Sequence, residues 1–187
     1  MTTPGTFRIS DGSAVEFADA KADWSLAARP VLLRVARTYH ETISYKDLSE
    51  QIQQATGVRT RVLLTNWIGG VLEQVALDCH TRGEPLLSAL CVRSDGTVGD
   101  GYGHAVVDTY GGHTPEDLDR HSAVERLNCY RHFGAALPED GGAPALTPQV
   151  EARRTRERRQ AAVDRPRPIC PTCHLELPRT GQCDNCG

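Results

Sequence analysis

Residues 58–83 read VRTRVLLTNWIGGVLEQVALDCHTRG, and the folding of this stretch decides the architecture. Leu64, Trp67, Ile68, Val71, Val75 and Cys79 recur at helical spacing, which predicts one amphipathic helix from about Arg61 to a stop at Gly83. Gly69 and Gly70 interrupt it, either bending the helix or admitting a close backbone neighbour. Just upstream, Ser44-Tyr45-Lys46-Asp47 is a capping-box variant. It opens a shorter helix with Tyr45, Leu48, Ile52 and Ala55 on one face and Gly57 as its end.

Working outward, Leu26 to Tyr39 repeats Leu32, Val35, Ala36 and Tyr39 at helical spacing, with Pro30 suited to a first turn. Residues 1–20 show no sustained period and read as a loose lead or an edge strand. After Gly83, residues 86–92 form a strand by length and branching, Arg93-Ser94-Asp95-Gly96 a turn, and Thr97 to Tyr102 a glycine-rich return strand. A further helix follows over about 116–133. The expected fold class is α+β: a winged helix-turn-helix with an added C-terminal helix and a small four-cysteine zinc ribbon. The expected divisions are a lead (1–25), the winged domain with its added helix (26–135), a Pro/Gly linker and arginine-rich arm (136–168), and the ribbon (169–187).

In a winged helix-turn-helix the second helix offers its first residues to base edges, and the hairpin lies along phosphates. Arg59, Arg61, Thr65 and Asn66 are the candidates for bases, since Arg pairs with guanine and Asn with adenine. Arg93, Ser94 and Thr97, with the amides of Gly96, Gly99 and Gly101, are the candidates for the DNA backbone. The competing reading is a protein-docking module, because any exposed helix start carries polar residues.

Three pieces, Ile43-Ser-Tyr-Lys-Asp-Leu48, Trp67-Ile-Gly-Gly-Val-Leu72 and Val92-Arg-Ser-Asp-Gly-Thr-Val-Gly-Asp-Gly-Tyr102, resemble the DNA-binding half of the alkylguanine-DNA alkyltransferases and their inactive alkyltransferase-like relatives. The resemblance covers about residues 42–103 and implies the DNA-binding fold. It departs at the chemistry: the reactive cysteine position falls on Ser88, Leu87-Ser-Ala-Leu90 replaces Pro-Cys-His-Arg, and the nucleotide-flipping arginine falls near Asn66. A serine without an activating histidine is a poor alkyl acceptor. Residues 85–90 and 99–103 are also similar to a wing module of bacterial proteins linked to restriction and phage defence.

The net charge of −3 conceals a basic segment: residues 151–168 hold seven arginines against three acids. Arg153, Arg154 and Arg156 head this cluster, which either attracts a polyanion or forms a solvated linker helix. Only Lys21 and Lys46 are lysines.

At the C-terminus, Cys170-Pro-Thr-Cys173 and Cys183-Asp-Asn-Cys186 are separated by nine residues. Four thiolates at that spacing suit one tetrahedral Zn2+, and so short a segment needs a staple to fold. Disulfides or a redox pair are the alternatives. A closed shell of four thiolates leaves no position for a reactive water, so this zinc is structural, with His174 only a substitute ligand.

No stretch stays apolar for the roughly 18 residues a membrane helix needs, and the N-terminus lacks a basic start and an apolar run. A cytoplasmic protein is expected, with Cys79, Cys91 and Cys129 as buried, idle thiols. His104, His113, His121 and His132, with Asp100, Asp108, Asp117 and Asp119, match no catalytic metal spacing. The reading is a non-enzymatic binder of double-stranded DNA, a regulator or an accessory subunit of a DNA-processing or phage-defence system. The alternatives are a protein adaptor using the winged helix and the ribbon or, further off, a metal-dependent nuclease.

Overall fold

A computed structural model of the 187-residue chain describes residues 5–165, 169–178 and 181–186. It divides into two compact units that meet in sequence at Val150 and Glu151. The mixed helix and strand composition agrees with the expected α+β class. The elements in order are β1 (Thr6–Arg8), α1 (Phe17–Ala36), β2 (Ile43–Ser44), α2 (Tyr45–Thr56), β3 (Val58–Thr60), α3 (Ile68–Arg82), β4 (Cys91–Val92), α4 (Gly101–Tyr110), α5 (Leu118–His132) and α6 (Pro148–Asp164), with 3-10 turns at Leu64–Asn66 and Leu87–Leu90.

The core forms where α1 packs against α2 and α3. Trp24 is completely buried, its ring tilted against Trp67 at 4.6 Å between centroids, and its indole N–H donates to the Val58 carbonyl at 3.2 Å. Ala20, Ala28 and Leu32 complete the same face of α1. Residues 17–25 of the expected lead therefore belong to the core helix, while Thr6–Arg8 forms an edge strand, one of the two readings for residues 1–20. Helix α1 begins at Phe17, not Leu26, and encloses Pro30 in its interior. Its N-terminal half buries alanines and one tryptophan, a face without the aliphatic repeat that marks most helices. Strand β1 pairs antiparallel with β3, and β2 pairs parallel with β4.

Helix α2 matches expectation. The Ser44 hydroxyl accepts the Asp47 N–H at 3.0 Å, and Gly57 ends the helix at φ 66°. Helix α3 differs at its start: Arg61 to Leu63 lie outside any helix or strand, Leu64–Asn66 makes a 3-10 turn, and the α-helix opens only at Ile68. The reason is the burial of Trp67 and Ile68, which turns the chain inward there.

The hairpin is corrected further. The Arg93 N–H donates to the Thr97 carbonyl at 2.8 Å and the Gly96 N–H to the Arg93 carbonyl at 2.9 Å, so the turn forms. The return strand does not. Tyr102, Ala105, Val106 and Thr109 are buried at helical spacing, and this face makes residues 101–110 helix α4. Gly103 admits Thr114 and Leu118 close against that helix.

Residues 136–150, expected as linker, are held onto the first unit. The Tyr39 hydroxyl bridges the N–H and carbonyl of Ala143, Arg131 donates to the carbonyls of Gly141 and Gly142, and Thr147 donates to the Gly96 carbonyl at 2.9 Å. Arg126 joins this strap to the core. Only 4% exposed, it donates to the carbonyls of Ala89 at 3.3 Å and Ala145 at 3.0 Å and to the Ser122 hydroxyl at 3.1 Å. Beside it, buried Glu125 accepts from the Leu86 N–H and the Tyr110 hydroxyl.

Arg126→Ala leaves buried carbonyls without donors and opens a void. It is expected to cost about 2–4 kcal/mol in urea unfolding, against less than about 0.5 kcal/mol for Val163→Ala on exposed α6. An unchanged midpoint for Arg126→Ala contradicts this account of the strap.

Candidate nucleic-acid interface and metal centre

Three helix starts meet at one groove of about 590 Å³. Ser44, Tyr45 and Lys46 come from the start of α2, Thr65, Ile68 and Gly69 from the start of α3, and Gly99, Asp100 and Gly101 from the start of α4. Arg93 and Ser94, exposed on the turn after β4, complete it. Neither α3 nor α4 carries a side-chain cap, so their first amides have no side-chain acceptor.

The groove is held in shape from both sides. Tyr45 lies against Gly99 so closely that a Cβ at 99 would overlap its hydroxyl. Burial pushes the Tyr45 phenol up, keeping it neutral. The turn is braced by Asp95, which accepts from the N–H and hydroxyl of Thr97 at 3.0 and 2.7 Å. Arg93 pairs with Asp100 at 2.9 Å, and this hydrogen bond raises its pKa, so it stays charged.

Of the residues read from sequence, the groove gathers Thr65, Arg93 and Ser94, with Gly99 and Gly101 at the start of α4. Asn66 is exposed beside Thr65, whose hydroxyl donates to the Asn66 side-chain carbonyl at 3.4 Å. Arg59 lies on β3 and lines a different groove. Arg61 is exposed, its guanidinium 4.6 Å from the centre of the Phe7 ring. Because α3 starts at Ile68, Arg59 and Arg61 are not on the first turn of that helix. The Thr97 hydroxyl is engaged by Asp95. Gly96 is buried beneath Thr147 and Gln149, and Gly99 beneath Tyr45, so neither amide lies on a protruding wing.

Arg153, Arg154 and Arg156 lie on α6, in the second unit, with Arg153 within 3.7 Å of Glu157. Arg167 falls outside the described residues. Lys46 lines the groove without belonging to any contact pattern in the sequence. Its sequence signal is a cation in the first turn of a helix, where the peptide dipoles disfavour it unless an anion is near.

Ser88 is 4% exposed and its hydroxyl has no hydrogen-bond partner. The cavity beside it, about 40 Å³, has room for about one or two waters and none for a nucleobase. The Ser88 hydroxyl is thus closed off from a nucleobase in this arrangement.

In the second unit, the sulfurs of Cys170, Cys173, Cys183 and Cys186 all lie within 4.8 Å of one another. Cys170 and Cys186 are 4.0 Å apart and Cys173 and Cys183 3.4 Å apart. Sulfurs about 2.3 Å from a shared tetrahedral ion stand at such separations, so these four side chains can hold a metal. An isolated antiparallel bridge, Ile169 with Glu176, supports the first knuckle, and the His174 N–H returns to the Cys170 carbonyl at 2.9 Å. His174 itself is exposed, at φ 58°, and is not in the cluster. The amides of Cys173 and Thr172 draw the Cys170 thiol down to about 6, while contact with the Cys173 sulfur pushes Cys186 up to about 12. Sulfurs this close share negative charge poorly without a cation between them. Among the described residues this is the one group of His, Cys, Asp or Glu close enough to hold an ion, so the histidines and aspartates around 100–132 do not assemble.

Cys79, Cys91 and Cys129 are completely or almost completely buried, and burial raises each thiol pKa. No helix among the described residues is long and apolar enough to cross a membrane. No protein family model, curated protein or solved structure matches the chain.

Two outcomes follow for the cysteines. The metal-loaded protein carries one equivalent of bound metal, and Cys173→Ser loses it. A thiol reagent leaves Cys79, Cys91 and Cys129 unmodified until denaturant is added, because buried neutral thiols do not attack. Rapid labelling of those three in the folded protein contradicts the packing described.

Proposed function

We propose that the protein binds double-stranded DNA without chemistry, seated on the groove formed by the starts of α2, α3 and α4. It acts as a transcriptional regulator or an accessory subunit of a DNA-processing or phage-defence system. The convergence of three helix N-termini around Lys46 and Arg93 carries this reading. Amides at a helix start are oriented donors, and the aligned peptide dipoles put partial positive charge at the same place. A phosphate satisfies both.

Helices α2 and α3 are the pair of a helix-turn-helix, and the short Arg93–Gly96 turn stands where a full wing would be. All three pieces that resemble the alkyltransferases contribute walls to this groove: Ser44–Lys46 from the first, Ile68 and Gly69 from the second, and Arg93, Ser94 and Gly99–Gly101 from the third. Thr65 and Asn66 are exposed for base edges, while Lys46, Arg93 and Ser94 meet the backbone. The closed cavity at Ser88 accords with binding in place of alkyl transfer.

The four cysteines bind one structural Zn2+, whose preferred shell is four sulfurs in tetrahedral array. The α6 arginines, including Arg153, Arg154 and Arg156, add sequence-independent attraction to phosphates. Three unbridged thiols in the core suit a reducing, cytoplasmic setting.

A second reading, a protein adaptor, draws on a different surface. Leu26 and Leu77, 77% and 54% exposed, line a groove of about 430 Å³ between α1 and α3. Such a pair offers apolar area to a protein partner.

The deciding experiment is duplex binding measured across salt. Affinity falls as salt rises, with a slope of about 0.9 per phosphate contacted, and Lys46→Gln and Arg93→Gln each lower that slope by about one. Asn66→Ala shifts base preference by about 1–3 kcal/mol at one position. Absence of binding at low salt, or affinity indifferent to salt, overturns the reading.

A further inference from the structure

We propose that the DNA contact continues over Lys46 into a second groove, where Arg34 and Arg59 hold phosphates of the same duplex. This groove, about 810 Å³, lies between α1, α2 and β3. It has one wall residue in common with the first groove: Lys46 lines both, so the two adjoin at that side chain.

Charge singles it out. Its walls hold three cations, Arg34, Lys46 and Arg59, and one acid, Glu50, in a chain whose net charge is −3. Glu50 is 3.8 Å from Lys46 and largely exposed, so it offsets that lysine weakly. Arg34 donates to the neutral side chain of Gln51 at 2.5 Å. Arg59 stands exposed on β3. Cations gathered without matching acids repel one another, and a polyanion relieves that repulsion.

The remaining walls suit phosphates better than bases. Gln51 and Gln54 supply neutral hydrogen-bonding groups, and Gln53 is committed within the protein, its side-chain carbonyl accepting the Thr60 N–H at 3.0 Å and its amide donating to the Ser49 carbonyl at 3.1 Å and hydroxyl at 2.9 Å. No helix start other than that of Lys46 contributes. Arg59 is thereby assigned to backbone positioning in place of base reading, and Arg34, on α1, becomes a contact that the helix-turn-helix pattern does not indicate. The two grooves together lengthen the path a duplex can follow across the first unit.

The inference rests on the DNA-binding reading of the first groove, and one set of measurements separates their failures. The full chain is titrated with a random-sequence duplex across salt, alongside Arg34→Gln/Arg59→Gln, the charge-keeping Arg34→Lys/Arg59→Lys, and Arg82→Gln at the far end of α3, with thermal melts confirming folding. The slope is expected to fall by about two for the glutamine pair, to be restored by the lysine pair, and to stay unchanged for Arg82→Gln. Should the unaltered protein bind with a steep slope that the glutamine pair leaves intact, the second groove is refuted and the first stands. A loss equal for the glutamine and lysine pairs also refutes it, since charge is then not what matters. No duplex binding by the unaltered protein overturns both.

Discussion

The close approach of the Gly99 backbone to the Tyr45 hydroxyl is the contact on which the groove depends. Tyr45 is the first residue of α2, and Gly99 comes just before α4, so their contact sets two helix starts side by side. A Cβ at 99 would require the Tyr45 ring to shift. On the other side of the turn, Gly96 at φ 80° lies beneath Thr147, and buried Arg126 fixes the strap that carries Thr147. Arg93 and Ser94 are thus presented on a turn clamped from two directions. A site held in this way loses little conformational freedom when a ligand arrives.

The parts of the fold legible in the sequence are those whose signals are local. Ser44 with Asp47, the αL glycines Gly57 and Gly83, and the aliphatic repeat of Val71, Val75 and Cys79 each act within a turn or two of helix, so α2 and the body of α3 follow from them. The first half of α1 was hidden because Ala20, Trp24 and Ala28 make a face of small residues around one large one. Helix α4 was hidden because Gly99, Gly101 and Gly103 suggest a turn, while its helical face of Tyr102, Ala105, Val106 and Thr109 is held in place by α3 and α5. The strap was hidden for a related reason: prolines and glycines exclude helix, but they do not exclude burial, and the hydrogen bonds from Tyr39, Arg126 and Arg131 come from far along the chain. Nothing local marks Arg126 as buried beside exposed Val124.

The candidate sites divide along the same line. The metal centre is a matter of spacing within eighteen residues, and the four cysteines read from sequence are the four that cluster. The groove is assembled from three segments spread over residues 44–101, and among its walls only Thr65, Arg93, Ser94, Gly99 and Gly101 stood out as contact candidates in the sequence. Lys46 gains meaning only when the α4 start and Arg93 are seen next to it. The two units also rest on different physics: the first on a tryptophan-centred core, the second on four sulfurs placed close enough to share one metal.

The central claim is that duplex DNA seats on the three helix starts. Amide chemical-shift mapping of the labelled full chain during titration with a duplex tests it most directly. The account predicts the largest shifts at Tyr45, Lys46, Gly69, Arg93, Ser94 and Gly99 to Gly101. Shifts confined to the Leu26–Leu77 face, or none at saturating duplex, would contradict it.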